Sequence, residues 1–314
     1  MKVRAVVPSF IDVDMVKSRL QAVVPGVQVA GELVDDGPGP MSEVEILALT
    51  PFTPIPEEAL GRYPKLRFLQ VAGTGYNNVP LELCQKRGIR VSNVQGANAK
   101  SVAEHVIMVT LALLRDLGNI DKGMREGFWP PLTGGHDLAG KVFGIVGSGR
   151  IGKEVARRLI PFEVSVIYYD KFRLKEDEER TLGLTYVELP ELVASSDIIS
   201  LHLPLSSETK GILGAKELAS MKDDAILVNT ARSELVDLVA LKQELGKGRI
   251  RAALDVYPEE PPNFQDDLFK YPATVFTPHS AGVTLEAQER LLTEALRNVL
   301  RFASGKDPLY EVKA

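Results

Sequence analysis

Short apolar runs alternate with helical patterns along the chain, and this alternation constrains the fold more than any other feature. The predicted strands are Val3–Val7, Ile46–Leu49, Leu66–Val71, Val142–Val146, Val164–Tyr169, Ile198–Leu203, Ala225–Asn229, Ile250–Asp255 and Thr274–Thr277. The predicted helices are Val13–Ala22, Pro80–Arg87, Ala99–Leu117, Ile151–Leu159, Val236–Leu245 and Leu285–Phe302. Several strands are apolar without alternation, which is typical of parallel strands that are buried on both faces. The pattern predicts a doubly wound α/β fold.

Composition and charge exclude several classes of protein. The 314 residues include 37 basic and 42 acidic side chains, a net charge of −5 without a basic block, which argues against nucleic acid and anionic membranes as partners. One cysteine, Cys84, allows no internal disulfide and favours a packed thiol. The longest apolar stretch, Val106–Leu114, is too short to span a membrane, and the N-terminus lacks a signal-peptide core. A soluble cytoplasmic protein without a metal site is expected.

A glycine-rich motif directly follows the predicted strand Val142–Val146 and opens the next helix. Gly147, Gly149 and Gly152 have the spacing G-x-G-x-x-G of a Rossmann dinucleotide-binding turn. Gly147 permits the tight turn, Gly149 lets the backbone approach a pyrophosphate, and Gly152 lets the helix pack closely on the strand. The helix N-terminus offers its free N–H groups to the phosphates.

The acidic residue that completes this motif is Asp170, which follows the next strand eighteen residues after Gly152. Its carboxylate would accept hydrogen bonds from ribose hydroxyls and repel a 2′-phosphate, which favours NAD over NADP. Lys171 and Arg173 come close behind it and weaken that preference. The acidic run that continues to Arg180 is expected to form a solvated loop or helix face.

Three polar segments come where later strands should end: Asn229–Arg232, Asp255–Pro262 and Thr277–Gly282. In open α/β sheets ligands bind outside the carboxyl ends of the strands, so an arginine, a glutamate and a histidine from these segments are expected to meet there. Neutral histidine can take the hydroxyl proton when a hydride leaves a hydroxy acid. A carboxylate would orient the imidazole, and an arginine fork would bind a substrate carboxylate.

These segments, together with Val71–Asn78, Asn98–His105 and Leu201–Leu205, make the chain recognisable: it resembles the D-isomer-specific 2-hydroxyacid dehydrogenases, the family of glyoxylate/hydroxypyruvate reductases and phosphoglycerate dehydrogenase. The resemblance implies that His279 is the acid/base, that Glu260 supports it, and that Arg232 binds the substrate. The substrate residues that it implies are Ala72, Gly73, Thr74, Arg232 and His279. The NAD-binding residues implied are Gly147, Gly149, Arg150, Ile151, Gly152, Asp170, Leu203, Pro204, Thr209, Thr230, Ala231, Arg232, Asp255, His279 and Gly282.

The family fold implies a discontinuous arrangement of domains. Residues 1–99 and 285–314 would form a flavodoxin-like substrate domain, and residues 100–284 the inserted NAD-binding Rossmann domain. The irregular segment Gly118–Gly140 is interpreted as a domain junction or a protruding arm, and its Trp129 favours a homodimer. The loop after the second predicted strand has no basic residue, which disfavours a phosphorylated substrate.

Two other functions remain open from the sequence. A NADH-sensing dimeric scaffold similar to corepressors would retain the same residues, whereas oxidation of an anion such as phosphite would need a basic residue near Gly73. Among the other histidines, His105 is expected to be a packed or interdomain residue and His202 a structural one, and no role is predicted for His136.

Overall fold

The structure is a computed structural model, and it describes residues 1–6, 14, 17, 18, 21, 27–30, 41–53, 55–129, 131 and 134–313. The chain forms two compact units. The split unit comprises Met1–Asn98 and Thr284–Ala314, and the central unit comprises Ala99–Val283. Most of the predicted helix Val13–Ala22 lies outside the described residues.

The described strands form two sheets. They are β1 (Lys2–Val6), β2 (Gln28–Ala30), β3 (Val44–Leu49), β4 (Phe68–Val71), β5 (Arg90–Ser92), β6 (Val142–Val146), β7 (Ser165–Tyr169), β8 (Leu184–Tyr186), β9 (Ile198–Leu201), β10 (Ile226–Asn229), β11 (Arg251–Leu254), β12 (Thr274–Phe276) and β13 (Glu311–Val312). The described α-helices are α1 (Glu57–Gly61), α2 (Leu81–Lys86), α3 (Ala99–Leu114), α4 (Leu117–Arg125), α5 (Arg150–Leu159), α6 (Glu176–Leu182), α7 (Leu189–Ser195), α8 (Ala215–Ser220), α9 (Leu238–Gly246) and α10 (Leu285–Ala303).

The split unit contains a sheet of order β13-β5-β4-β3-β1-β2 that is parallel except for β13. Leu47 and Leu69 belong to the core on one face. Ile46 and Phe68 belong to the core on the other face, where the Phe68 ring stacks on Phe302 of α10 at 4.6 Å. Since both faces are covered, adjacent strand residues are buried, which explains the apolar runs in the sequence.

The central unit contains a fully parallel sheet of order β12-β11-β10-β9-β6-β7-β8. The chain starts at β6, proceeds outward to β8, and returns to β9 on the other side of β6. This reversal is the topological switch point of a Rossmann fold. Val106 of α3 and Val155 of α5 pack on one face, and Leu218 of α8 and Leu241 of α9 on the other. The predicted α/β class with doubly wound sheets is confirmed.

The segment Gly118–Gly140 was predicted to be irregular, and this was wrong for its first part. Helix α3 ends at Leu114, Asp116 adopts a left-handed conformation (φ 50°), and α4 follows immediately. Arg125 forms an i,i+4 ion pair with Asp121 at 2.7 Å. Such pairs add a small stabilisation to an exposed helix.

The prediction that the acidic run after Asp170 forms a solvated loop or helix face was only partly correct. It forms α6, and Glu179 within it is buried. The Glu179 carboxylate accepts hydrogen bonds from the Tyr168 hydroxyl at 2.7 Å and from Arg173. A buried carboxylate requires such partners.

None of the helices in the described ranges has the length and apolarity needed to cross a bilayer.

Candidate active site

The glycine-rich turn of the central unit connects β6 to α5. Gly147 has φ +103°, and a Cβ there would lie 2.8 Å from the His202 carbonyl carbon. A Cβ on Gly152 would overlap the Gly147 carbonyl oxygen, so the helix packs directly on the turn. A Cβ on Gly149 would meet no atom within 4 Å. Gly149, the N-cap of α5, therefore faces open space beside the first N–H groups of the helix.

Asp170 lies at the end of β7 and is bonded to this turn. Its Oδ2 accepts hydrogen bonds from the Ser148 N–H (2.7 Å) and hydroxyl (3.1 Å), and its Oδ1 accepts one from the Phe172 N–H (2.9 Å). The carboxylate thus connects the carboxyl ends of β6 and β7. The sequence had assigned it to a ribose alone, and the support that it provides to the turn was missed.

The loop after β9 forms the other side of this region. Thr209 donates from Oγ1 to the Pro204 carbonyl at 2.7 Å and accepts from the Ser206 N–H at 2.8 Å. The predicted strand ends at Leu201 rather than Leu203, which leaves Leu203 in the loop. The hydrogen bonds close a compact turn there.

His279 and Glu260 meet at the carboxyl end of the same sheet. The Nδ1 of His279 lies 2.6 Å from Glu260 Oε2, and Glu260 Oε1 accepts the Tyr257 N–H at 3.1 Å. The side chains are about one-third exposed, His279 at 33% and Glu260 at 34%. Because an ionised carboxylate only accepts, this contact assigns the hydrogen to Nδ1 and leaves Nε2 as the nitrogen that can exchange a proton.

The turn that carries His279 is anchored on Asp255. Asp255 is 1% exposed, and its carboxylate accepts hydrogen bonds from the Thr277 hydroxyl (2.6 Å), the Ser280 N–H (2.8 Å) and the Ala281 N–H (3.0 Å). His279 itself has φ 52°, a region that non-glycine residues seldom adopt. The Asp255 bonds hold the backbone in this conformation and so position the imidazole.

His105 on α3 extends this network. Its Nε2 lies 3.2 Å from Thr277 Oγ1. Since the Thr277 hydroxyl donates to Asp255, it accepts from the His105 N–H. Burial lowers the pKa of His105, with a smaller opposing effect of Asp255, so the ring stays neutral near pH 7. The expected packing role of His105 therefore includes a hydrogen bond, and the only hint of it in the amino-acid sequence is a polar residue in an apolar helix.

Arg232 follows β10 in extended backbone conformation. Asn229 fixes the segment that follows β10. Its Nδ2 donates to the Arg232 carbonyl (2.8 Å), and its Oδ1 accepts the Ala231 N–H (3.0 Å). Burial lowers the pKa of the Arg232 guanidinium, and the attraction of Glu234 and Glu260 opposes that shift. Glu260, which contacts His279 at 2.6 Å, is therefore also close enough to attract the Arg232 guanidinium.

Two buried polar atoms near the ends of β9 and β10 have no hydrogen-bond partner among the residues that the structure describes: His202 Nδ1 and Thr230 Oγ1. The other ring nitrogen of His202 lies 2.9 Å from Ser200 Oγ. Burial lowers the pKa of His202 to about 3, so this histidine cannot supply a proton near neutrality. Open space at Gly149 and these unsatisfied atoms fit a region built to receive a polar ligand.

The comparison with protein families decides the identity. Residues 107–281 match the family described as D-isomer specific 2-hydroxyacid dehydrogenase, NAD binding domain. This chain belongs to the D-isomer specific 2-hydroxyacid dehydrogenase family. It is an NAD-dependent D-2-hydroxyacid dehydrogenase, and the central unit contains the NAD-binding domain. The recognition from sequence and the predicted cofactor are confirmed.

Relatives of this dehydrogenase agree with that assignment. A glyoxylate reductase of Korarchaeum cryptofilum (strain OPF8) is 39% identical over 261 residues, which cover 81% of this chain and 78% of that protein. A hydroxypyruvate reductase of Thermotoga maritima is 35% identical over 263 residues, with coverages of 82% and 85%. The crystal structure of a glyoxylate reductase from Paecilomyes thermophila has a TM-score of 0.87 at 30% identity and covers 99% and 98% of the two chains.

The predicted site residues of the dehydrogenase occupy two units. Those of the central unit follow the carboxyl ends of β6, β7, β9, β10, β11 and β12: Gly147, Gly149, Arg150, Ile151, Gly152, Asp170, Leu203, Pro204, Thr209, Thr230, Ala231, Arg232, Asp255, Glu260, His279 and Gly282. Ala72, Gly73 and Thr74 follow β4 in the split unit. Within the described parts of the chain, no cluster of three His, Cys, Asp or Glu side chains is arranged to hold a metal.

In the split unit, the turn after β4 keeps its backbone amides available. The Gly73 carbonyl accepts the Val94 N–H at 2.9 Å, and the Thr74 carbonyl accepts Asn93 Nδ2 at 2.7 Å. A Cβ on Gly73 would overlap the Pro51 ring. Among the described residues, no acceptor bonds the N–H groups of Gly73 and Thr74. Such a pair of N–H groups can bind an anion.

Proposed function

We propose that this dehydrogenase reduces a small, non-phosphorylated 2-oxo acid of the glyoxylate or hydroxypyruvate type with NADH, and that His279 is its acid/base residue. The observation that carries the proposal is the 2.6 Å contact between His279 Nδ1 and Glu260, in the same environment as Arg232. A histidine oriented by a carboxylate is suited to proton transfer near neutral pH. The names of the relatives support the substrate class.

The side chains have distinct tasks in this reaction. NADH, when bound, supplies a hydride to C2 of the oxo acid. His279 gives the Nε2 proton to the carbonyl oxygen, which balances the charge that the hydride brings, and Glu260 stabilises the imidazolium before transfer. Arg232 binds the substrate carboxylate and polarises the carbonyl. In the split unit, the amides of Gly73 and Thr74 are groups that can bind a carboxylate, so we assign substrate binding to this unit.

The cofactor residues have distinct roles in the proposal. Gly147, Gly149 and Gly152 shape the phosphate turn with the first residues of α5, Arg150 and Ile151. The adenosine side is formed by Asp170, Leu203, Pro204 and Thr209. The nicotinamide side is formed by Thr230, Ala231, Arg232, Asp255, His279 and Gly282. Because both Asp255 oxygens hold the His279 turn, we assign Asp255 mainly to positioning that turn.

The loop after β3 supports a substrate without a phosphate. It is neutral, with the Thr50 and Thr53 hydroxyls 3.0 Å apart. Asn78 holds the loop by donating from Nδ2 to the Thr50 carbonyl at 3.1 Å. The side chain of Phe52 is 42% exposed. A phosphate would need arginine or lysine nearby, and this loop has neither.

A panel of substrates tests the proposed function. The purified chain is mixed with NADH and, separately, glyoxylate, hydroxypyruvate, pyruvate or phenylpyruvate, and the loss of nicotinamide absorbance is followed. Turnover with at least one of the first two is expected. Protein that binds NADH but turns over none of the four would instead support the dimeric NADH-sensing scaffold.

We also propose that a second copy of the chain covers an apolar surface on α4 and the residues after it. Leu117, Ile120 and Met124 are exposed on α4, and Phe128 (60%) and Trp129 (74%) follow. Exposed apolar patches of this kind mark association surfaces. Sedimentation should show a homodimer, and Met124→Glu should shift it toward the monomer, while Lys122→Glu on the same helix serves as the control. A wild-type chain that sediments as a monomer would contradict the dimer.

A further inference from the structure

Two cations follow Asp170, and each of them is held by a carboxylate of the same unit. Lys171 Nζ lies 2.9 Å from Glu208 Oε1 and 2.7 Å from Oε2. Arg173 donates from Nε and Nη2 to the two oxygens of Glu179, at 2.9 and 3.1 Å. The sequence had suggested that Lys171 and Arg173 weaken the preference for NAD. The structure shows that both positive charges already have partners.

The position of Lys171 makes this pairing relevant to the cofactor. In this fold the acid at the end of the second strand contacts the ribose hydroxyls, and a cation nearby is the group that accommodates the 2′-phosphate of NADP. Lys171 is the residue next to that acid, Asp170. Glu208 reaches it from the loop after β9, between Pro204 and Thr209 of the proposed adenosine side. The ion pair thus joins the loops after β7 and β9.

We propose that Glu208 is a specificity-determining residue for the cofactor, because it neutralises Lys171 and so denies this ammonium to a 2′-phosphate. A phosphate entering here would meet the Asp170 and Glu208 carboxylates, and Lys171 would attract it less strongly because Glu208 already balances its charge. NAD, with a neutral 2′-hydroxyl, meets no such penalty. This inference rests on the proposed placement of the adenosine ribose at Asp170.

Glu208 is also the one of these acids that can be altered without disturbing the fold. Glu179 is buried and bonds the Tyr168 hydroxyl as well as Arg173, whose guanidinium lies 5.2 Å from the centre of the Tyr186 ring. Asp170 supports the glycine-rich turn through Ser148, so its removal would change the binding of both cofactors. The Lys171 and Glu208 side chains are 62% and 66% exposed, and an exposed pair adds little stability.

The test is Glu208→Gln, which keeps the shape of the side chain and removes its charge. Binding of NADPH and NADH is measured by nucleotide fluorescence without substrate. The dissociation constant for NADPH is expected to fall about fivefold to tenfold, the worth of one charge-assisted contact. The constant for NADH should stay within about twofold, since a neutral hydroxyl gains nothing from the released ammonium.

A double-mutant cycle assigns the gain to Lys171. Lys171→Met alone should leave NADPH binding unchanged, and in the Glu208→Gln background it should abolish the gain. Asp267→Asn is the matched control, because it removes one carboxylate from another exposed ion pair of this unit, Lys270–Asp267 at 2.6 Å. Added salt should reduce the gain by screening the charges.

Three results would overturn the inference: an unchanged NADPH constant, an equal loss of affinity for both nucleotides, or a gain that persists without Lys171. An equal loss would identify Glu208 as a structural tie between the two loops. NADH binding by the variants shows separately that the cofactor site is intact. Absence of NADH binding in the wild-type chain would instead refute the proposed cofactor placement itself.

Discussion

Replacing His279 with alanine is expected to lower kcat for 2-oxo acid reduction about 10³-fold, within the range for loss of a general acid. The proton that neutralises the forming alkoxide would then have to come from water. NADH binding should be largely retained, because the glycine-rich turn and Asp170 belong to other strand ends. The measurement is steady-state kinetics with the preferred substrate, together with NADH fluorescence titration.

The control for this variant is His136→Ala, since His136 is exposed and no role in binding or catalysis is proposed for it. It should leave kcat unchanged. If His279→Ala retained activity within about tenfold of the wild type, a group other than this imidazole would have to supply the proton.

Replacing Arg232 with alanine is expected to lower kcat/KM about 10²-fold, through both a higher KM and a lower kcat. The guanidinium binds the carboxylate in the ground state and the developing oxyanion in the transition state, so both constants should change. Arg232→Lys should recover only part of the loss, because an ammonium retains the charge but not the planar pair of donors.

Arg180→Ala, at an exposed position on α6, is the matched control for the loss of one guanidinium. A variant of Arg232 whose KM is unchanged while kcat falls would contradict the carboxylate-binding role and leave only transition-state stabilisation. Substrate protection against thermal unfolding offers a second measurement of binding that does not depend on turnover.

The long strands were predictable because their residues are buried on both faces. Val142–Val146 was predicted with the bounds that it has, and Phe143 and Ile145 are fully buried. The short strands β2, β5, β8 and β13 were missed. The last consists of Glu311 and Val312, paired with β5 more than two hundred residues earlier in the chain. Pairing rather than local preference creates a strand of that length, so no local pattern announces it.

The candidate site divides in the same way. The glycine spacing, Asp170 and the segments with Arg232, Glu260 and His279 could be identified from sequence because each follows an apolar strand. The support of these residues could not be identified. The bond from Thr277 to Asp255 depends on neighbouring strand ends, and the bond from His105 to Thr277 joins residues 172 positions apart.

The order of residues by itself therefore determined the α/β class and the dinucleotide-binding turn, because apolar runs and glycine spacing are local properties of the chain, and the resemblance of several motifs pointed to the family and to its chemical groups. Only the tertiary structure decided which charges are already paired. The partners of Lys171 and His279 are Glu208 and Glu260, and both come from other loops at the carboxyl edge of the sheet. Electrostatic pairing depends on distance in space, and the sheet order sets that distance.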